Sequence, residues 1–483
     1  MLSFFAFALV SLASVGALTN AVTHTDVVAG ILHDSASHPV PDNWVTQPLD
    51  HTNASNPYTW KQRYHYNNAW VRRADAPVYV FLNGEGPAAA STPTSPALFL
   101  NELAAKHGAW VVSVEHRFYG ESQPTGDFST ASLAYLTIHQ ALADLATLQD
   151  HFIATQHNMT KANKWVLFGG SYAGLVAGFA KSKYPTRFAG AVASSAPVWT
   201  KVDFFEYADV VADAIQTIGG DACTHTVAEG IQDLHALLAS NVPADAATLA
   251  NLFNLCSPVT NDKDCALVEA TVFTTFQNLV QFNNLAVGAD TVASMCAAFV
   301  AQTTWTPLEK VAAFTRRRQH PCTSSSLDMH YLPLLANTTV STTSAIRQWT
   351  YQLCAELGFA QTTAGATSYW HALSYYTLDV TAHVCAQVFG ITDSVARTQS
   401  TQDTYGGLAI DVPNVVWING NLDPWHALGF SNETTHMPVN PASRVVFVDG
   451  TSHCADVYSC TYKTVPQAVH DEIERSVLAF LGQ

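Results

Sequence analysis

The sequence predicts an α/β fold in which a mostly parallel sheet is split by one large helical insertion. Three observations predict it. Continuous apolar runs at Ala76–Leu82, Ala109–Val114, Trp165–Phe168 and Phe188–Val198 read as strands buried on both faces, as parallel sheets require. Between about residues 200 and 410 such runs become scarce, and apolar residues recur at helical spacing, as in Phe204–Ile218, Val227–Leu238 and Leu267–Leu285. Strand and helix patterns then alternate again, through Asn414–Gly420, Arg444–Gly450 and a closing helix over 465–481. The expected organisation is a core in two parts, 18–199 and 411–483, around a helical cap at 200–410 stapled by disulfides.

Bulk properties narrow the function classes. The 483 residues are 48% hydrophobic and only 12% charged, so the surface must rely on uncharged polar groups. A formal net charge of −16 argues against nucleic acid and anionic membranes as partners. Protonating the 20 histidines would more than offset that charge, which suits an acidic lumen. Met1–Ala17 reads as a secretory signal: Phe4–Val10 is apolar and Val15-Gly16-Ala17 offers a small-residue cleavage site, although no Lys or Arg precedes them. No later stretch is long and apolar enough to span a bilayer, so no membrane anchor is expected. Sequons at Asn53, Asn158, Asn337 and Asn432 read as glycosylation sites. The expected location is outside the cell or in the lumen of a lysosome or vacuole. All nine cysteines fall from Cys223 onward; most should form disulfides, and the odd number leaves at least one over. None has C-x-x-C spacing, so neither metal nor cofactor is assigned.

In chain order, residues 18–76 read as irregular apart from Trp60–Tyr66, whose alternation suits an edge strand. The run ending at Leu82 meets Asn83-Gly84-Glu85-Gly86-Pro87, where two glycines free the backbone to turn amides toward a ligand. The strand Ala109–Val114 leads into Glu115-His116-Arg117, read as a structural ion-pair cluster. Residues 131–156 carry helical spacing, with Asp144 among them as a buried loop anchor. Arg316-Arg317-Arg318 reads as an exposed charge run.

Chemistry concentrates at Trp165-Val166-Leu167-Phe168-Gly169-Gly170-Ser171-Tyr172-Ala173-Gly174. A strand stops at two glycines, a serine follows, and a helix begins. That is the nucleophile elbow of α/β-hydrolases, G-x-S-x-G, with Ala173 at the last position and Gly174 just beyond. Two later strands deliver Asp423 and His453. The order Ser, Asp, His is that of α/β-hydrolases, and strand ends of a parallel sheet share one edge, so the three can converge. A serine hydroxyl needs a base to become a nucleophile; His453 would supply it, and Asp423 would fix the imidazole tautomer. The oxyanion would be met by the Tyr172 amide and by one from the Gly84–Glu85 loop.

Several motifs resemble the prolyl carboxypeptidase family of serine peptidases: Asn-Gly-Glu-Gly-Pro at 83–87, Glu-His-Arg-Phe-Tyr-Gly-Glu-Ser at 115–122, Gly-Gly-Ser-Tyr-Ala-Gly at 169–174, Trp-Thr-Tyr-Gln-Leu-Cys-Ala-Glu at 349–356, Asn-Gly-Asn-Leu-Asp-Pro-Trp at 419–425 and Ser-His-Cys-Ala-Asp at 452–456. The segments Gln-Trp-Thr-Tyr-Gln-Leu-Cys at 348–354 and Glu-Leu-Gly-Phe at 356–359 resemble its thymus-specific branch. The resemblance spans roughly residues 55–480. It implies an α/β-hydrolase core with a helical cap over the active site, and cleavage after proline or a small residue near a peptide end. It implies Ser171, Asp423 and His453 as the triad, Trp425 and Leu175 as walls of a proline pocket, and a Cys354–Cys385 bridge. The family often has Gly or Met where Ala173 and Leu175 stand, so pocket size is left open. So is Cys454, with Cys460 or a cap cysteine as its partner. Expected partners are peptide substrates, chiefly proline-containing, with a homodimer left open. Glu85 is read as structural, with binding of a free amine as the alternative. An esterase or lipase on the same fold, and a silent binding protein, are the competing functions.

Overall fold

The computed structural model describes residues 37–157, 159–283, 285, 290–319, 321–432 and 440–483. The signal-like segment Met1–Ala17 and the sequon residue Asn158 lie outside them. Among the described residues the strands are β1 (Asn43–Pro48), β2 (Thr59–Asn67), β3 (Val78–Leu82), β4 (Trp110–Val114), β5 (Trp165–Gly170), β6 (Gly190–Ser194), β7 (Lys201–Asp203), β8 (Gly358–Ala360), β9 (Val415–Gly420) and β10 (Arg444–Val448). The chain divides into two compact units.

One unit holds the described residues up to Thr200, Thr338–Gln352 and Thr398–Gln483. Its eight-stranded sheet runs β1-β2-β4-β3-β5-β6-β9-β10. The β1/β2 and β2/β4 pairs are antiparallel, and every pair from β4 to β10 is parallel. β3, β4, β5, β6 and β9 are buried at every residue, which is why they read as unbroken apolar runs. β2 differs from expectation. It is not an edge strand, because β1 lies outside it. Two helices approach the sheet where glycine leaves room: a Cβ on Gly178 would sit 2.3 Å from Trp417 of β9, and one on Gly190 of β6 would sit 2.1 Å from Phe480 of the closing helix Gln467–Leu481.

The Glu115-His116-Arg117 segment after β4 is a structural cluster, as its charges suggested. Glu115 accepts from Arg63 Nη2 at 2.7 Å, Ser122 Oγ at 2.7 Å and the amide of Ala88 at 2.9 Å. Arg117 is fully buried and forks onto Asp144, with Nε–Oδ2 and Nη2–Oδ1 both 2.7 Å. Its Nη1 donates to the Tyr135 carbonyl at 2.8 Å and the Leu49 carbonyl at 3.3 Å. His51 Nε2 adds a third bond to Asp144 at 2.8 Å. Burial pushes the Asp144 carboxyl up, but Arg117 and His51 outweigh burial and hold it below its usual range. Removing one partner of such a pair strands a buried charge. Asp144→Ala should therefore cost about 3–5 kcal/mol in urea unfolding. A cost below about 1 kcal/mol would show that the pair does not anchor this part of the sheet.

The other unit holds Lys201–Asn337 and Leu353–Arg397 and is mainly helical, with one two-stranded parallel sheet, β7/β8. The helix Glu206–Ala239 joins what the sequence presents as two patterns, and it kinks at Gly220, whose φ of 69° suits glycine. Asp262–Gln281 is capped by Asn261, whose side chain accepts from the amides of Lys263 and Asp264. Its buried Glu269 accepts from His235 Nδ1 at 2.8 Å and from the amides of Tyr375 and Tyr376 at 2.7 and 3.0 Å. Three disulfides staple this unit: Cys223–Cys296, Cys256–Cys322 and Cys354–Cys385. They close loops of 73, 66 and 31 residues, each worth about 3–5 kcal/mol through the unfolded chain. Among the described residues Cys265, Cys454 and Cys460 are free thiols. Cys454 therefore takes neither of the partners the sequence leaves open, Cys460 or a cysteine of the helical unit. Its sulfur instead sits 3.8 Å from the Ser194 carbonyl oxygen. In the arginine run, Arg316 and Arg317 are exposed, while Arg318 lies over the Phe314 ring at 4.0 Å and pairs with Asp290 at 2.7 Å.

Candidate active site

β5 ends at Gly170, and Ser171 takes φ 57° and ψ −129° before the helix Tyr172–Lys183 starts. That backbone is unfavourable for a residue with a Cβ and persists only where its surroundings impose it. They do so here. The Ser171 amide donates to the Ser194 carbonyl at 2.9 Å, and its carbonyl accepts from the Leu175 amide at 3.0 Å. A Cβ on Gly169 would fall 2.1 Å from the Ala173 carbonyl oxygen, and one on Gly174 would fall 2.7 Å from the Ser194 carbonyl oxygen. Those two glycines let the turn close.

β9 ends at Gly420, and Asp423 follows as the N-cap of the short helix Pro424–Leu428. Its Oδ1 accepts from the Trp425 amide at 3.0 Å, which fixes the carboxylate plane. β10 lies beside β9 and leads to His453, whose Nδ1 is 2.9 Å from both Asp423 Oδ1 and Oδ2. Both side chains are fully buried. A carboxylate accepts, so Nδ1 carries the proton and Nε2 is the basic nitrogen of the neutral ring. The next residue, Cys454, rests against the same Ser194 carbonyl that holds the Ser171 amide. The turns bearing Ser171 and His453 are thus anchored on one peptide unit.

The other sequence-derived residues sit as follows. Tyr172 is the first residue of its helix, so its amide lies at the positive end of the helix dipole. Gly84 and Glu85 are buried in the loop after β3, which pairs in parallel with β5 and so opens at the same edge as Ser171. The Trp425 ring centre is 6.2 Å from that of His453. Leu175 is fully buried one turn into the helix that Ser171 precedes. Asn53, Asn337 and Asn432 are exposed. Among the described residues, no three or more His, Cys, Asp or Glu side chains are grouped to hold a metal ion.

Reading the sequence missed a buried polar chain behind Tyr172. His116 Nδ1 donates to the Arg117 carbonyl at 2.8 Å, which leaves Nε2 to accept from the Tyr172 hydroxyl at 3.1 Å. Gln352 Nε2 donates to the same hydroxyl at 2.8 Å, and the Tyr119 hydroxyl donates to Gln352 Oε1. Burial pushes the His116 pKa down to about 4, so the ring stays neutral and the chain keeps its donor order. The first helical residue after Ser171 is therefore fixed at its side chain as well as its backbone. Gln352 belongs to Thr338–Gln352, which packs in the sheet-bearing unit although its pattern reads as insertion. The aromatic and amide residues quoted at 349–356 were the only signal.

A parallel sheet with a strained serine turn after β5 and a buried Asp–His pair after β9 and β10 defines an α/β-hydrolase. Residues 47–471 match the serine carboxypeptidase S28 family, and the chain belongs to it. It is a serine-type peptidase, so its substrates are peptides. The chain is 31% identical to thymus-specific serine protease of Mus musculus over 429 residues, 86% of this chain and 82% of that one. It is 30% identical to thymus-specific serine protease of Homo sapiens, over 86% of this chain and 81% of that one. It is 27% identical to lysosomal Pro-X carboxypeptidase of Mus musculus, over 84% of each. No helix among the described residues is long and apolar enough to cross a membrane.

Proposed function

We propose that this protein is a serine exopeptidase that cleaves after proline, or after a small residue, near a peptide terminus. The observation that carries the reading is the doubly hydrogen-bonded Asp423–His453 pair at the sheet edge where Ser171 turns. In the proposed reaction Ser171 Oγ attacks the scissile carbonyl while His453 Nε2 takes its proton. Asp423 holds the ring and stabilises the imidazolium. The Tyr172 amide and an amide of the Gly84–Glu85 loop receive the oxyanion. His453 then protonates the leaving amine, and water resolves the acyl-enzyme by the reverse proton path.

Proline selectivity is inferred from two supports. Trp425 and Leu175 are flat or branched apolar groups close to the proposed base and nucleophile, suited to a pyrrolidine ring that offers no N–H. A relative also carries the name Pro-X carboxypeptidase. A secreted or lysosomal location is proposed from three disulfides and three exposed sequons. The test uses peptides with proline second from one end, blocked at one terminus at a time, with products read by mass. Blocking one terminus should abolish cleavage and blocking the other should leave it intact. Cleavage unaffected by either block would contradict the exopeptidase reading.

A further inference from the structure

Three non-glycine residues with positive φ meet at one place: Ser171 at 57°, Ser195 at 48° and Cys454 at 56°. Each is unfavourable for a residue with a Cβ and survives only where bonds over-determine it. The bonds are present. The Ser171 amide donates to the Ser194 carbonyl at 2.9 Å. The Cys454 amide donates to Ser195 Oγ at 2.8 Å. The Ser195 amide donates to the Ile418 carbonyl of β9 at 2.6 Å. Ser194 Oγ donates to Asp456 Oδ2 at 2.5 Å. The end of β6 therefore ties together the turn of Ser171, the strand before Asp423 and the loop of His453.

We infer that Asp456 is a second carboxylate serving His453: it positions the histidine loop through Ser194 and adds negative charge that stabilises the imidazolium. The inference rests on the proposed triad. Asp456 is buried three residues after His453. Its surroundings are largely apolar, including Phe81, Phe99, Phe168, Val192 and Ile473. The titratable groups that face it are His453 and Cys454 on its own loop, Asp423 after β9 and His470 on the closing helix. His470 Nε2 meets the Asp456 backbone carbonyl, at 3.2 Å, rather than its carboxylate, and burial pushes the His470 pKa down. Burial raises the Asp456 pKa to about 6, against the Ser194 bond and the charge of His453. The carboxyl thus gains its charge across the same pH range in which a histidine loses its proton. An ionised Asp456 adds negative charge beside the imidazolium that forms on His453 during the reaction, and a neutral one does not.

Three variants test this together: Asp456→Asn, which keeps an acceptor for Ser194 but no charge, Ser194→Ala, which keeps the charge but no donor, and Ser171→Ala. Peptidase kcat and kcat/KM would be followed from pH 4 to 8, with folding checked by thermal unfolding. The acid limb of kcat/KM should move to lower pH in Asp456→Asn by about half a unit or more, and in Ser194→Ala in the same direction by less. kcat at neutral pH should fall about tenfold in Asp456→Asn, with KM nearly unchanged. A purely structural role would lower stability and leave the limb in place. An unmoved limb in folded Asp456→Asn overturns the inference while Ser171→Ala remains inactive. An active Ser171→Ala enzyme would instead sink the triad on which the inference stands.

Discussion

Replacing Ser171 by alanine should leave a folded protein whose kcat for peptide hydrolysis is about 10⁶-fold lower, with little change in KM. The magnitude follows from what the hydroxyl would do. The oxyanion donors and pocket walls survive the change, but no covalent acyl-enzyme can form, and His453 has no oxygen to activate. The fold should tolerate alanine. The strained φ of 57° is imposed by the Ser194 and Leu175 backbone bonds, which alanine retains, and the Ser171 side chain caps nothing. Purified wild type and variant, compared on one proline-containing peptide, check it. A loss of less than tenfold would mean that another residue performs the attack.

Asp423→Asn should lower kcat about 10⁴-fold while stability changes little. The local hydrogen bonds dictate why. Asp423 Oδ1 is engaged by the Trp425 amide at 3.0 Å. An asparagine would keep its carbonyl oxygen on that donor and turn its NH₂ toward His453 Nδ1. The ring must then accept at Nδ1 and carry its proton on Nε2, the nitrogen needed as base. The same change removes the buried negative charge that offsets the imidazolium. Steady-state kinetics with thermal unfolding would check both parts. A variant with wild-type kcat would show that Asp423 does not set the tautomer.

The parallel strands were legible because they are buried on both faces, and hydropathy reads such segments directly. β1 was not, because Asn43–Pro48 shows no apolar alternation: its inward positions are Val45 and a fully buried Gln47. That glutamine is stabilised by Gln62 Oε1 at 2.6 Å and the Asp144 carbonyl at 2.9 Å, partners no local pattern reveals. With β1 unseen, β2 read as an edge. Thr338–Gln352 misled for a similar reason. Its helix Ile346–Gln352 has ordinary helical spacing, but Arg347, Gln348 and Gln352 are buried on the Phe128 carbonyl, the Phe118 carbonyl and the Tyr172 hydroxyl. Those acceptors lie about two hundred residues away.

The candidate site divides along the same line. Ser171, Asp423 and His453 were legible because each stands just past an apolar strand, in an order with chemical meaning. The polar chain behind Tyr172 and the ties of Ser194, Ser195 and Asp456 were not. Their residue types are common in loops, and the ties at Ser194, Ser195 and Asp456 take on meaning only when the sheet brings β6 between β5 and β9. Cys454, whose partner the sequence leaves open, is a buried free thiol packed on a carbonyl, a contact no local pattern reveals.

The most direct measurement treats the active wild-type enzyme with a fluorophosphonate and maps the adduct by peptide mass spectrometry. One phosphonyl group on Ser171, with activity lost in proportion to labelling, is the predicted result. Complete inactivation with the adduct on any other residue, or full peptidase activity with Ser171 labelled, would contradict the mechanism.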